Sequence, residues 1–351
     1  VTASLPLYAW SITPAPDNRS LWVSGKGNAG YTTATVAPDG TITNINVDFQ
    51  NLFASMDVDG NGNLILGNLV QPEIKKRSFG GSTFTTLHVG APLSNIQGGG
   101  LDLQSGDLLL VDSAGVLQAR LYPSVTVTTV VTPIARPQNG AGLHADPDSG
   151  TLVGSWGNAI YRVSPGSPGL LTTVWTAPTG QSLGALDRDP ADGWYVIPSA
   201  ANSISAQTSA VYRFDTRTST LVTLATFPST LRAQPLAATV AGSRHLCGGG
   251  SSEARPGANF ALLVSSPNEP GVPYVVACSF GYGPGIPVGK GRKVYLTVDA
   301  FFLYSLKNLG IFSNFQGILG SKGEAIATLQ IPRIAQLSGF RFYAAVVTIN
   351  Q

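Results

Sequence analysis

The chain has 351 residues and a formal net charge of +2; only 11% of it is charged, 43% is apolar, and 41 glycines and 24 prolines punctuate it. A chain of this length and apolarity can bury a sizeable core and is not a disordered polymer. The near-balanced charge argues against nucleic acid as a partner, because phosphates call for clustered Lys and Arg. The basic runs Lys75-Lys76-Arg77 and Lys290-Gly291-Arg292-Lys293 are short and read as solvated turns or strand ends. No run of 18 apolar residues is present, so no membrane span is expected.

In chain order, a unit of about 43 residues recurs six times, each with an apolar strand, an Asp/Gly/Pro/Asn-rich turn and a second apolar strand. The copies start at Ile12, Met56, Leu101, Leu143, Leu186 and Leu236. Aligned on the second residue of each motif they give Thr13, Asp57, Asp102, His144, Asp187 and Ala237, with steps of 44, 45, 42, 43 and 50. Further strands complete the units: Tyr31–Val36 and Thr41–Val47 in the first, Glu73–Phe79 and Thr83–Val89 in the second, Gly115–Leu121 and Thr126–Val131 in the third. Ala159–Val163 and Leu170–Trp175 follow in the fourth, and Ser209–Phe214 and Thr220–Ala225 in the fifth. Strand–turn–strand content at this period predicts an all-β chain, a six-bladed β-propeller over residues 1–250.

The sixth unit is short of strands. Leu236–Val240 and His245–Cys247 are expected as its inner strands, and Val1–Trp10 as an outer strand that closes this unit or pairs with a neighbouring molecule. From about Asn259 the repeat stops. The runs Phe260–Ser265, Tyr274–Phe280, Lys293–Val298, Gly323–Gln330 and Gly339–Ile349 predict a small antiparallel β-sandwich over residues 251–351, with Phe301–Leu309 as the one helical turn. The chain begins at Val1 rather than Met, as a processed secretory protein would, and an extracellular setting is expected. In that setting Cys247 and Cys278 are expected to form a disulfide that clips the sixth blade to the sandwich.

The hairpins Asp146-Pro147-Asp148-Ser149-Gly150 and Asp187-Arg188-Asp189-Pro190 resemble those of the six-bladed NHL-repeat and gluconolactonase-like propellers, over about residues 10–250. Phe315-Gln316-Gly317 and Gly339-Phe340-Arg341-Phe342-Tyr343 resemble small C-terminal β domains appended to secreted bacterial proteins. The first resemblance implies lactonase- or lyase-type chemistry at a metal on the propeller axis. By its virginiamycin-lyase branch it also implies a histidine base, His144 or His88, with Mg²⁺. Lactonase-like propellers usually place a Glu and an Asn among their ligands, and neither stands at this register.

Equivalent positions of successive blades converge on the axis, so Asp57, Asp102, His144 and Asp187 form a candidate metal set. Their oxygen-rich chemistry favours Ca²⁺ or Mg²⁺ over Zn²⁺. The competing role for each is a bond to backbone of the next blade that fixes blade spacing. Asp57-Val58-Asp59-Gly60-Asn61-Gly62-Asn63 also matches the start of a calcium loop, but Asn68 stands where a bidentate Glu would be needed, and Asn-Gly favours a hairpin. No nucleophile motif surrounds His88, His144 or His245. The tryptophans lie mostly inside blade strands, where packing is their expected role.

Without a strong catalytic set, and with little charge to oppose self-association, the sequence reads as a secreted, non-enzymatic structural or adhesive protein. Its sharpest form is a self-assembling extracellular filament subunit, with copies of itself as first partner and a glycan or cell-surface protein as second. The alternatives are a metal-dependent lactonase or lyase at the axial ring and a glycan-binding module.

Overall fold

A computed structural model describes residues 7–349 apart from 16–19, 28–29, 49–51, 79–80, 82, 103–104, 114, 123, 132–140, 165–169, 190–192, 202–208, 228–244, 249–253 and 290–291. The first four units are four-stranded antiparallel sheets in simple up-and-down order. They are β1 (Leu7–Pro14), β2 (Leu21–Gly27), β3 (Gly30–Val36) and β4 (Ile42–Asp48); β5 (Phe53–Val58), β6 (Leu64–Asn68), β7 (Glu73–Arg77) and β8 (Phe84–Val89); β9 (Ile96–Leu101), β10 (Leu108–Asp112), β11 (Gly115–Arg120) and β12 (Thr126–Val131); and β13 (Gly142–Asp146), β14 (Thr151–Trp156), β15 (Ala159–Ser164) and β16 (Leu170–Thr176). In the fifth, the first strand is split into β17 (Gln181–Leu183) and β18 (Asp187–Arg188), both paired with β19 (Tyr195–Ala201), followed by β20 (Ser209–Asp215) and β21 (Thr220–Phe227).

The first strands pack against one another in succession, β1 on β5, β5 on β9, β9 on β13 and β13 on β18. They form the inner wall of a propeller. Their outer partners carry apolar residues on both faces, because each blade is sandwiched between two others. In β10, Leu108 and Leu110 face Ile65 and Ile74 of the second blade, while Leu109 and Val111 face Leu143 and Leu152 of the fourth. Val153, Ile160, Tyr195, Ile197 and Phe214 fill the next gap, and Phe53, Met56, Leu64 and Leu66 fill the space toward Trp22. Trp156 is buried and stacks on Tyr161 at 4.2 Å, and Trp194 lies under the Arg213 guanidinium at 5.0 Å. Packing is therefore the role of these indoles.

Near the axis the backbones come too close for side chains. A Cβ on Gly98 would stand 1.6 Å from the Ala141 carbonyl oxygen of the next blade, and one on Gly100 would stand 2.7 Å from His144 Cε1.

Leu7–Trp10, expected as a separate closing segment, is the first half of β1, with Leu7 opposite Gly27 and Tyr8 opposite Lys26. Val1–Pro6 and Leu236–Val240, with Ala237, lie outside the described residues. His245–Cys247, expected in the sixth blade, instead belongs to β22 (His245–Gly248), which pairs with β23 (Asn259–Ser265).

The remaining strands are β24 (Pro273–Ser279), β25 (Ile286–Gly289), β26 (Arg292–Val294), β27 (Phe312–Ser313), β28 (Gln316–Ile318), β29 (Glu324–Gln330) and β30 (Tyr343–Thr348), with α1 at Ala300–Leu306. Two sheets, ordered β22-β23-β29-β27 and β28-β24-β30, share one core of Phe260, Leu262, Val264, Tyr274, Val276, Phe312, Phe315 and Leu329. The other face of β24 and β30 is covered by the β25–β26 hairpin and α1, through Val294, Phe302 and Leu306. The helix falls where the sequence places its one turn, and Asp299 caps it by accepting from the Phe302 backbone N–H at 2.7 Å.

Cys278 is a free, fully buried thiol in the shared core, not half of a disulfide. Its alternate-residue neighbours Tyr274 and Val276 set the inward face of β24. Cys247 sits in register with Leu263, between the core-facing positions of Leu262 and Val264. Among the described residues no helix is long and apolar enough to cross a membrane.

Candidate functional site on the propeller axis

The hairpins between the first and second strands set the true register of the repeat. The Gly62, Gly106, Gly150 and Gly193 N–H groups donate to the carbonyls of Asp59, Asp102, Asp146 and Asp189 at 2.7–2.9 Å. These four aspartates are therefore equivalent. Two residues upstream stand Asp57, Gly100, His144 and Asp187, opposite Ile65, Leu109, Val153 and Val196 in their strand pairs.

Asp102 is thus a turn residue and not a member of the axial set. Its Oδ2 accepts from the Ser105 N–H and hydroxyl at 3.1 and 2.6 Å, and it borders a cleft of about 180 Å³ between the third and fourth blades, with Gln118, Asp146 and Thr151. The position expected of Asp102 belongs to Gly100. With that correction the steps become 43, 44 and 43.

Asp57, His144 and Asp187 do share the inner wall. Asp57 Oδ2 accepts from the Leu101 N–H of the next blade at 2.8 Å, and its Oδ1 from the Val58 N–H at 2.8 Å. Asp187 Oδ1 accepts in the same way from the Arg188 N–H at 2.7 Å. His144 Nε2 lies 3.8 Å from Asp187 Oδ1, in the space that a side chain at Gly100 would fill. Burial pushes the Asp57 carboxyl above its ordinary range, and the charge of Asp187 adds to this, against the opposing pull of His144 and the two backbone donors. Among the described residues no three His, Cys, Asp or Glu side chains converge closely enough to hold a metal ion. That part of the ring does not by itself fit a divalent cation. His88 lies on β8, the outermost strand of its blade, away from the axis.

The turn aspartates are engaged in the fold. Asp59 accepts from the Asn61 and Asn63 N–H groups, from Asn63 Nδ2 and from the Tyr122 hydroxyl of the third blade, at 2.7–3.0 Å. This is a hairpin with an inter-blade clamp and not a calcium loop; Asn68 turns instead to Glu73. Asp146 accepts from Ser149 and from the Thr216 hydroxyl of the fifth blade, at 2.8 and 3.2 Å. In both cases the turn between the last two strands of one blade reaches back to the hairpin of the blade before it. Asp189 meets Arg213 at 3.2 Å. An even step between Asp59, Asp102, Asp146 and Asp189 is the signal in the sequence that marks this set.

On the hairpin side, the C-terminal unit touches three blades. Lys293 Nζ and the Tyr295 hydroxyl donate to Asp148 Oδ1 of the fourth blade at 2.9 and 2.8 Å, Tyr295 also stands beside Arg188 of the fifth, which in turn lies 3.9 Å from Asp148 Oδ2, and Arg341 Nη1 donates to the Ser105 carbonyl of the third.

Consecutive antiparallel sheets whose first strands form a common inner wall define a β-propeller. Among solved structures the chain is similar to a putative gluconolactonase, at 17% identity over 74% of this chain and 86% of that one, with a TM-score of 0.51. It is similar too to a Bacteroides thetaiotaomicron protein of unknown function, at 14% identity over 64% of this chain and 59% of that one, also with a TM-score of 0.51. Virginiamycin B lyase from Staphylococcus aureus aligns at 12% identity over 93% and 96% of the two chains, with a TM-score of 0.45. At such identities the likeness is one of architecture, and at that level the resemblance read from the hairpins holds. No protein-family model and no curated protein matches the chain.

Proposed function

We propose that this chain is a secreted, non-enzymatic β-propeller that serves as a structural or adhesive subunit and associates with copies of itself. The observation that carries the reading is where the polar residues of the repeat go. Asp57, Asp59, Asp102, Asp146 and Asp189 all accept hydrogen bonds that close hairpins or tie one blade to the next. Such roles hold an architecture and leave little for chemistry. Self-association is supported by the C-terminal unit, where Phe280 and Phe340 are 50% and 67% exposed with rings 6.4 Å apart, and where Val298, Leu303 and Tyr304 are exposed as well. Paired exposed aromatic rings of this kind mark contact sites, and the low charge of the chain does not oppose them. Negative-stain microscopy of the untagged protein over a range of concentrations tests the reading. Regular fibres or discrete oligomers are expected; uniform monomers throughout would contradict it.

A second reading is favoured by one observation, the approach of His144 to Asp187 on the wall shared with Asp57. It makes the axis a binding or lactonase/lyase-type site, in which a divalent cation would need a ligand beyond the described ring. Metal analysis of the native protein and a glycan array separate the metal enzyme and the glycan binder from the first reading. Stoichiometric Ca²⁺ or Mg²⁺ lost in His144→Ala supports the former, and a saccharide-specific signal the latter.

A further inference from the structure

We propose that the C-terminal unit is a lid across the hairpin-side mouth of the propeller axis, held shut by a polar latch centred on Asp148. Its contacts fall on the hairpins of three adjacent blades: Arg341 on Ser105 in the third, Lys293 and Tyr295 on Asp148 in the fourth, and Tyr295 beside Arg188 in the fifth. A body that rests on three neighbouring hairpins spans the arc they make. The ring residues His144 and Asp187 lie on the strands that lead into two of these hairpins. His144 is on the strand that enters the Asp148 hairpin, and Asp187 is bonded to the N–H of Arg188. Both side chains are only 16% and 23% exposed.

The latch is built to hold a defined position. Tyr295 is backed by Tyr282, stacked at 5.6 Å and 4°, and Tyr282 is braced in turn by Tyr343 at 5.7 Å. Tyr282 feels the charges of Asp102, Asp148 and Arg188, one from each of the same three blades. It is also built to release. Among the described residues every apolar cluster stays on one side of the junction, within the blades or within the C-terminal unit. A polar junction without a shared core permits relative motion of the two parts.

The test is the rate at which diethyl pyrocarbonate modifies His144 in the full-length protein, localised by peptide mass spectrometry and compared with His88 as an internal standard. In Asp148→Ala the His144 rate is expected to rise about tenfold, the change that losing one charged hydrogen bond makes to an opening equilibrium. Arg217→Ala, a surface ion pair elsewhere on the fifth blade, is expected to leave it unchanged. Should Asp148→Ala fold poorly, Lys293→Ala in the C-terminal unit removes one latch donor, and the wild type at high salt weakens the ion pairs. Both are expected to raise the His144 rate while leaving that of His88 alone. An unchanged His144 rate in a folded latch variant, or equal rises at both histidines, would overturn the lid.

Discussion

Gly100→Ala probes the narrowest part of the structure. The added methyl would stand 2.7 Å from His144 Cε1, 2.9 Å from its Nε2 and 2.9 Å from the Leu143 carbonyl oxygen, where carbon contacts are comfortable at about 3.5–4.0 Å. The imidazole can swing aside, but the carbonyl is backbone of β13 and moves only with the blade. Overpacking of this kind costs about 1–3 kcal/mol. The lower entropy of the unfolded alanine chain offsets about 0.4–1 kcal/mol of that, leaving roughly 1–2 kcal/mol of destabilisation. Chemical denaturation followed by tryptophan fluorescence reads this loss, and the His144 resonance reads its displacement from Asp187. Two comparisons fix the scale. At Gly60 an added Cβ meets nothing within 4 Å, and Gly60→Ala is expected to stay within about 0.5 kcal/mol of wild type. At Gly98 it would lie 1.6 Å from the Ala141 oxygen, so Gly98→Ala is expected to part the third and fourth blades and lose far more. A Gly100→Ala protein as stable as wild type, with an unmoved His144 resonance, would refute the close approach of β9 and β13.

Asp59→Ala removes the acceptor of three backbone and side-chain donors around a buried hairpin and of the Tyr122 clamp; a loss of about 2–4 kcal/mol is expected by thermal or chemical unfolding. Asp39→Ala, on the exposed turn of the first blade with one bond to the Thr41 N–H, is expected to change little. Burial works to raise the Asp148 carboxyl, but donors from Lys293 and Tyr295 and the charges of Lys293 and Arg188 outweigh it and hold it below its ordinary 3.8. A depressed carboxyl stabilises the closed form fully above the unfolded value, and that contribution fades as pH falls through the folded one. X-ray scattering should therefore show the two parts separating below about pH 4, and an Asp148→Asn protein that is more open already at neutral pH. Burial pushes the Cys278 thiol well above its ordinary range, so it is expected to resist a thiol reagent in the native protein and to react once the chain is unfolded without reductant; no thiol released on unfolding would restore the disulfide.

Period and turn chemistry were enough to read the propeller, because a blade needs two-sided apolar strands and an Asp-rich hairpin at a fixed step. The helical turn expected at Phe301–Leu309 is present, and the structure adds the Asp299 cap that starts it. The third ring position was not legible. Leu101-Asp102 matches Leu143-His144 and Leu186-Asp187 as a dipeptide, yet the hairpin bonds place Asp102 with Asp146 and Asp189, two residues later. Counting back from the turn, rather than forward from the leucine, yields Gly100. The strand His245–Gly248 was misassigned because an apolar run says nothing about its partner, which here is β23. Cysteine parity likewise carries no geometry: the inward face of β24 holds Cys278 in the shared core. The latch on Asp148 was invisible for the same reason, since its donors lie about 145 residues downstream.

The most direct test of the structural role is sedimentation velocity of the untagged chain, alone and as a Phe280→Ser/Phe340→Ser variant, across a wide concentration range. Species larger than the 36.4 kDa monomer are expected to grow with concentration in wild type and to be lost in the variant. A single monomer boundary for wild type at every concentration would contradict that role and turn attention to the axial pair His144 and Asp187.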